Sequence, residues 1–260
     1  MYLFDTHTHF FDSAFDEDRE EAVLRAVLSG VKKNVLPCCS EKSLKGIFDL
    51  CKQFSENCFP TLGLHPEDID TQNYENQLKE IFNFEFSKPI VAIGEIGIDL
   101  HYMTDTLEIQ KKVFEYQVNI AIERKLPIII HCREAYKEIF EILDNYKGKI
   151  SGIFHCFSSN KNDAEKILKD YENFYFGIGG VVTFKKSGAE LAEIVKNVLP
   201  LEKIVLETDS PYLAPVPKRG KRNESSFIRF VAEKIAELKN LDIQTVIETT
   251  TLNAEKKFKI

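Results

Sequence analysis

The chain is 260 residues long, 43% hydrophobic and 29% charged, with a formal net charge of −7. That composition excludes a disordered or fibrous chain, and the acidic balance excludes a surface that coats nucleic acid through positive charge alone, so any polyanionic substrate must be met locally. The length suits one large α/β barrel core, and a single domain over residues 1–260 is the expectation.

Taken in chain order, short β-rich runs alternate with segments of helical period, the pattern of successive βα units. Strands are expected at residues 2–6, 34–38, 59–63, 90–95, 127–131, 152–155, 174–178 and 204–208. Helices are expected between them, for example at 16–28, 106–124 and 190–198, and two more, at 225–239 and 243–258, close the chain. Eight units with no linker point to an α/β fold, a (β/α)8 TIM barrel, although a doubly wound open sheet gives the same alternation. The six cysteines form no Cys-x-x-Cys pair, the first residues carry no leader pattern, and no apolar run approaches the ~20 residues of a membrane span. A reduced, cytoplasmic, soluble protein is therefore expected, with no membrane partner. Nothing in the sequence decides the oligomeric state, and a monomer is the expectation.

Five of the six histidines fall at or just after the C-terminal end of an expected strand, the face on which barrel enzymes build their sites. His7 and His9 follow the first strand, His65 the third, His131 the fifth and His155 the sixth; Glu95 closes the fourth and Asp209 follows the eighth. Side chains two apart on extended backbone point the same way, so His7 and His9 can share one metal ion; two solvated loop histidines are the alternative. Glu95 ends a strand too apolar to leave a charge unpaired, and its two oxygens can bridge two cations; an ion pair inside the barrel is the alternative. Asp209 can ligate a cation and take a proton from water that the cation has acidified, which makes it the expected general base. Cys132 and Cys156 alternate with His131 and His155 and are expected to point away. Asp5 is expected to orient a ligand, Asp99 to support the site or cap a loop, and Glu207 to bond a ligand residue or serve as a buried hydrogen-bonding group. Arg133 and the run Lys218-Arg219-Gly220-Lys221-Arg222 place positive charge on the same rim, where Arg133, Arg219 and Arg222 can meet phosphate. His65 is expected beside the cations or on the phosphate without ligating.

Read together, Asp5-Thr6-His7-Thr8-His9, Gly63-Leu64-His65-Pro66, Ile93-Gly94-Glu95-Ile96-Gly97-Ile98-Asp99, Ile130-His131-Cys132-Arg133, Phe154-His155-Cys156-Phe157-Ser158, Glu207-Thr208-Asp209-Ser210-Pro211 and Arg219-Gly220-Lys221-Arg222-Asn223-Glu224 form an ordered set. The set resembles the TatD family of metal-dependent deoxyribonucleases, a branch of the amidohydrolase-like barrels, and the likeness runs over essentially the whole chain. It implies a site with two divalent metal ions, His7 and His9 on one, His131 and His155 on the other, Glu95 on both, and Asp209 on the first ion and the water. It also implies a Mg2+-supported 3′-to-5′ exonuclease acting on single-stranded DNA ends; by affinity a nitrogen-rich site favours Zn2+, Mn2+ or Ni2+. The segment Leu100-His101-Tyr102 departs from the usual pattern after the Asp. Some relatives are assigned to other esters, so a metal-dependent ester hydrolase such as a D-aminoacyl-tRNA deacylase is the alternative. A scaffold or nucleic-acid-binding protein without catalysis has no need of a water-activating set.

Overall fold

The structure is a computed structural model that describes residues 2–260. Eight strands form one sheet in sequence order: β1 (Leu3–Asp5), β2 (Val31–Leu36), β3 (Cys58–Leu62), β4 (Ala92–Asp99), β5 (Ile128–Arg133), β6 (Gly152–Phe154), β7 (Phe174–Ile178) and β8 (Ile204–Leu206). Every neighbouring pair is parallel. The sheet returns on itself, because Thr6 N–H donates to the Leu206 carbonyl at 3.0 Å and Asp209 N–H to the His7 carbonyl at 3.0 Å. Those bonds between the first and last strand ends favour the barrel over the open sheet.

Helices α1 (Arg19–Leu28), α2 (Leu44–Gln53), α3 (Tyr74–Asn83), α4 (Leu107–Arg124), α5 (Tyr136–Leu143), α6 (Lys161–Asp170) and α7 (Ala189–Asn197) each connect consecutive strands, and α8 (Ile228–Lys239) and α9 (Ile243–Phe258) follow β8. None is long and apolar enough to cross a membrane. Outward-facing strand residues such as Leu36, Ile130, Phe154 and Phe176 pack against the apolar faces of these helices. Inward-facing residues form a second core in which β1, β2 and β4 to β8 each place one side chain: Phe4, Val35, Ala92, Ile129, Ile153, Tyr175 and Val205. Phe59 of β3 packs against this layer, and Ala254 and Phe258 of α9 seal it from below. Layers of side chains of this kind make a barrel interior a packed core rather than a pore.

The main departure from the expected elements is β4, which runs to Asp99 instead of stopping at Glu95. Its glycines are close approaches rather than punctuation. A Cβ on Gly94 would lie 2.6 Å from Ile129 Cβ, and one on Gly97, at φ +154°, would lie 1.8 Å from the His131 carbonyl oxygen. Glycine is what lets β4 and β5 pack at that distance. Elsewhere β6 and β8 stop one and two residues early, at Phe154 and Leu206. Helices α1 and α8 begin three residues late, after short 3-10 turns at Ser13–Phe15 and Ser225–Phe227.

Candidate metal centre

Strand alternation carries the site. Along β5, Ile129 lies in the inner core, Ile130 faces the helices, and His131 faces inward one step nearer the mouth. On β6 and β8 the same two-residue step leads from Ile153 to His155 and from Val205 to Glu207. Glu95 enters from the middle of β4, where its N–H donates to the Cys38 carbonyl at 2.8 Å.

The side chains meet at short range. His7 Nε2 lies 3.1 Å from His9 Nε2 and 3.1 Å from Glu95 Oε2. The other Glu95 oxygen, Oε1, lies 3.1 Å from His131 Nδ1, 3.5 Å from His65 Nε2 and 3.6 Å from His155 Nε2. Asp209 Oδ1 lies 3.2 Å from His9 Nε2 and 3.8 Å from both His7 Nε2 and His155 Nε2. Thus one oxygen of Glu95 faces the His7 and His9 side and the other faces His131, His155 and His65. The groups His7, His9, Glu95 and His65, Glu95, His131 each place one ligand atom per residue within 4.8 Å of the others.

Burial by itself would raise the Glu95 carboxyl, but His7, His155, His65 and His131 together hold it well below the usual carboxylate range. Asp209 is likewise held down by His9, His155 and His7 against the effect of its burial. Burial takes His7 down to about 4, with His155 and His9 acting in the same direction. For His155 and His131 burial is outweighed: Glu207, Glu95 and Asp209 take His155 up to about 10, and Asp99 and Glu95 take His131 up to about 9. The His7 and His155 rings stack at 3.4 Å between centroids, and His7 Nδ1 is buried without a hydrogen-bond partner. Facing ring nitrogens beside two ionised carboxylates are a poor self-contained hydrogen-bond network and a good donor set for divalent cations, so the residues present fit the metal ions their pattern implies.

Partners behind these side chains fix their orientation. His155 Nδ1 meets Glu207 Oε2 at 3.1 Å, and the same carboxylate accepts the Cys156 N–H at 2.7 Å. His131 Nε2 meets Asp99 Oδ2 at 2.9 Å, while Asp99 Oδ1 caps the next loop by accepting N–H from His101 and Tyr102. Carboxylates of this kind set the tautomer and basicity of ligand histidines. Two buried glutamines of α4, two turns apart, hold the loops from behind: Gln110 bonds both backbone groups of Asp99, and Gln117 both of Leu64.

Four expectations are corrected. Glu95 does not close its strand. Asp5 does not reach a ligand ring; it accepts the backbone N–H of His7 and Thr208 and the hydroxyls of Thr208 and Ser225, tying the ends of β1 and β8 together. Cys132 faces the helices as expected, but Cys156 adopts a left-handed conformation, φ 44°, because β6 has already ended; alternation is lost and its sulfur groups with His155 and Asp209. Arg222 is not a free rim charge, since it pairs with Asp18 at 2.6 Å and Glu224 at 3.0 Å. Arg219 lies over the Phe184 ring at 4.1 Å, and Lys218 lies over Phe227. Arg133 is exposed and covers the Tyr102 ring at 4.6 Å. The sequence reading passed over Cys39, whose sulfur lies 3.8 Å from His9 Nδ1, and Tyr212, whose ring centre lies 6.0 Å from that of His9. Both follow strand ends, the signal that singled out the histidines.

The family model described as "TatD related DNase" matches residues 4–259. The chain belongs to the TatD family. It is 37% identical over 259 residues to an uncharacterized metal-dependent hydrolase, YabD, of Bacillus subtilis, with 99% of each chain covered. It is 31% identical to the 3′-5′ ssDNA/RNA exonuclease TatD of Salmonella typhimurium, again with 99% of each covered. Among solved structures, the TatD homolog YjjV of Escherichia coli superposes with a TM-score of 0.89 at 25% identity, covering 99% of this chain and 98% of that one. As a TatD chain, the protein is a member of a family of metal-dependent hydrolases.

Proposed function

We propose that this TatD protein hydrolyses phosphodiesters at single-stranded nucleic-acid ends, as a 3′-to-5′ exonuclease with two divalent metal ions. The observation that carries the reading is Glu95, whose two oxygens each lie 3.1 Å from a histidine nitrogen on opposite sides, Oε2 from His7 and Oε1 from His131. A carboxylate so placed would serve two cations, the arrangement that in-line displacement at phosphorus uses. His7, His9 and Asp209 would hold one ion and His131 and His155 the other, with Mg2+ the proposed working ion and Mn2+, Zn2+ or Ni2+ its competitors.

When bound, the ions supply Lewis acidity and lower the pKa of water. Asp209, whose Oδ1 faces His9, His7 and His155, would receive the proton at its carboxylate. Glu207 holds His155 with Nε2 turned to the site, and Asp99 holds His131 with Nδ1 turned to it. Arg133, exposed at the end of β5, supplies positive charge for phosphate, with Arg219 on the loop after β8 and His65 Nε2 3.5 Å from Glu95. The exonuclease name carried by TatD relatives supports the nucleic-acid substrate.

Because Arg222 is already paired, the rim offers phosphate less charge than its sequence promises, and this favours a second reading: a metal-dependent ester hydrolase such as a D-aminoacyl-tRNA deacylase on the same side chains. Metal-stripped protein refilled with Mg2+, Mn2+ or Zn2+ decides between the two when offered a labelled single-stranded oligomer and a D-aminoacyl-tRNA. Stepwise shortening of the oligomer from its 3′ end supports the nuclease. Release of the amino acid with the oligomer intact supports the deacylase and overturns it.

A further inference from the structure

Among the described residues, three tyrosines are at least half exposed: Tyr102, Tyr116 and Tyr212. Tyr116 lies on α4, and the other two stand on loops at the mouth. Tyr212 follows β8, three residues after Asp209; it is 52% exposed, its ring meets His9 edge-on at 6.0 Å, and its hydroxyl donates to Asp12 at 2.9 Å. Tyr102 follows β4, three residues after Asp99; it is 60% exposed, its N–H is held by Asp99, and one face of its ring is covered by the Arg133 guanidinium at 4.6 Å. Strands β4 and β8 are four apart in a ring of eight, so the two loops rise on opposite sides of the metal centre.

Large exposed aromatic rings are costly to leave in water, and these two are anchored rather than loose: Tyr212 by its hydroxyl, Tyr102 by its backbone and by Arg133. Fixed aromatic rings are how sequence-tolerant single-strand binding is built, because every base offers a π-face, and at Tyr102 the Arg133 guanidinium adds positive charge. Resting on the nucleic-acid reading above, we infer that Tyr212 and the Tyr102–Arg133 pair are stacking platforms for unpaired nucleobases on the two sides of the scissile phosphate. Bases held in a duplex cannot reach both platforms, so the substrate class is nucleic acid with at least two unpaired terminal nucleotides.

The test is binding, read by fluorescence anisotropy on Mg2+-loaded protein with a 5′-fluorescein oligomer whose terminal linkage is a hydrolysis-resistant phosphorothioate. Three versions are compared: intact, abasic at the last nucleotide and abasic at the one before it. In the wild-type protein each missing base weakens Kd about tenfold, within the range that stacking on an aromatic side chain supplies. Tyr212→Leu cancels one of these two penalties and Tyr102→Leu cancels the other, while Tyr212→Phe keeps the wild-type pattern once its fold is verified by circular dichroism. A merely structural tyrosine would weaken all three oligomers by one common factor and leave their ratios unchanged, and that result overturns the inference. If an oligomer of the same sequence with ordinary linkages is cut, yet the resistant versions bind equally with and without the terminal bases, the stacking alone is overturned. If the ordinary oligomer is not cut and the resistant one is not bound, with Mg2+, Mn2+ or Zn2+ loaded in turn, the inference falls together with the nuclease reading.

Discussion

The two ends of the barrel interior are built from the same strands and differ in almost every physical respect. At the floor, Phe4, Val35, Ile129, Ile153 and Val205 close on Phe258 of α9 as an apolar layer. One inward step higher, Ile129 gives way to His131, Ile153 to His155 and Val205 to Glu207, and the interior becomes a buried cluster of histidines and carboxylates. A sequence optimised only for stability would continue the floor upward, because buried ionisable groups without ligands cost free energy. The floor therefore carries folding and the mouth carries chemistry, and the following experiments break or sharpen that division.

The largest effect belongs to the mouth. Asp209→Ala should lower turnover at least about a thousandfold, the upper part of the range for loss of a general base, with a melting temperature within a few degrees of wild type; steady-state kinetics and calorimetry on the same sample read both. Comparable activity in the folded variant would remove Asp209 from its assigned role. The floor should behave in the opposite way. Phe258 is buried against Phe4, with ring centres 5.8 Å apart. Phe258→Ala should cost about 3–5 kcal/mol in urea unfolding while leaving kcat per folded molecule unchanged.

A smaller effect is expected one layer behind the mouth. Glu207→Gln keeps the shape of the side chain but weakens its hold on His155 Nδ1, and metal affinity or turnover should fall about 10- to 100-fold. Isothermal titration with Mn2+ measures this directly, and an unchanged affinity would show that packing alone orients the His155 ring.

The smallest effect lies below the floor. Lys257 donates to the Asn173 carbonyl at 2.6 Å, and burial, with Lys203, Lys256 and Lys259 adding repulsion, takes its ammonium down to about 8. Between that value and the ordinary 10.5 the unfolded chain binds more protons than the folded one, so stability rises as pH increases through this window. Melting temperatures measured across it should show that slope in the wild type and a flatter one in Lys257→Met.

Much of this was legible in the sequence, for physical reasons that differ by element. The barrel follows from the alternation of period-2 and helical segments, and the histidine set follows from strand ends, because βα loops all open on one face. Where backbone left that simple geometry, reading failed. The expected strand stops at Glu95, but Gly94 and Gly97 are the close-approach residues of a β4 that continues to Asp99, so Glu95 lies mid-strand. Cys156 has a left-handed φ of 44°, which no alternation rule anticipates, and its sulfur turns toward His155 and Asp209, whereas Asp209, also left-handed at 57°, stands at the site as its motif led one to expect. Asp5 resembled a support for a ligand ring, but its oxygens are spent on the backbone and hydroxyls that join β1 to β8. Gln110 and Gln117 were recoverable: two fully buried amides on the apolar side of α4 need partners, and the loops beneath them supply carbonyls and N–H groups. Arg222 was not, because its pairing with Asp18 spans 204 residues.

The central claim is that Glu95 is shared by two cations. Anomalous diffraction from crystals loaded with Mn2+ tests it most directly. Two peaks about 3.5–4 Å apart are expected on either side of the Glu95 carboxylate, one among His7, His9 and Asp209 and the other among His131 and His155. A single peak at full Mn2+ loading, or two peaks with Glu95 bound to neither or only one, would contradict it.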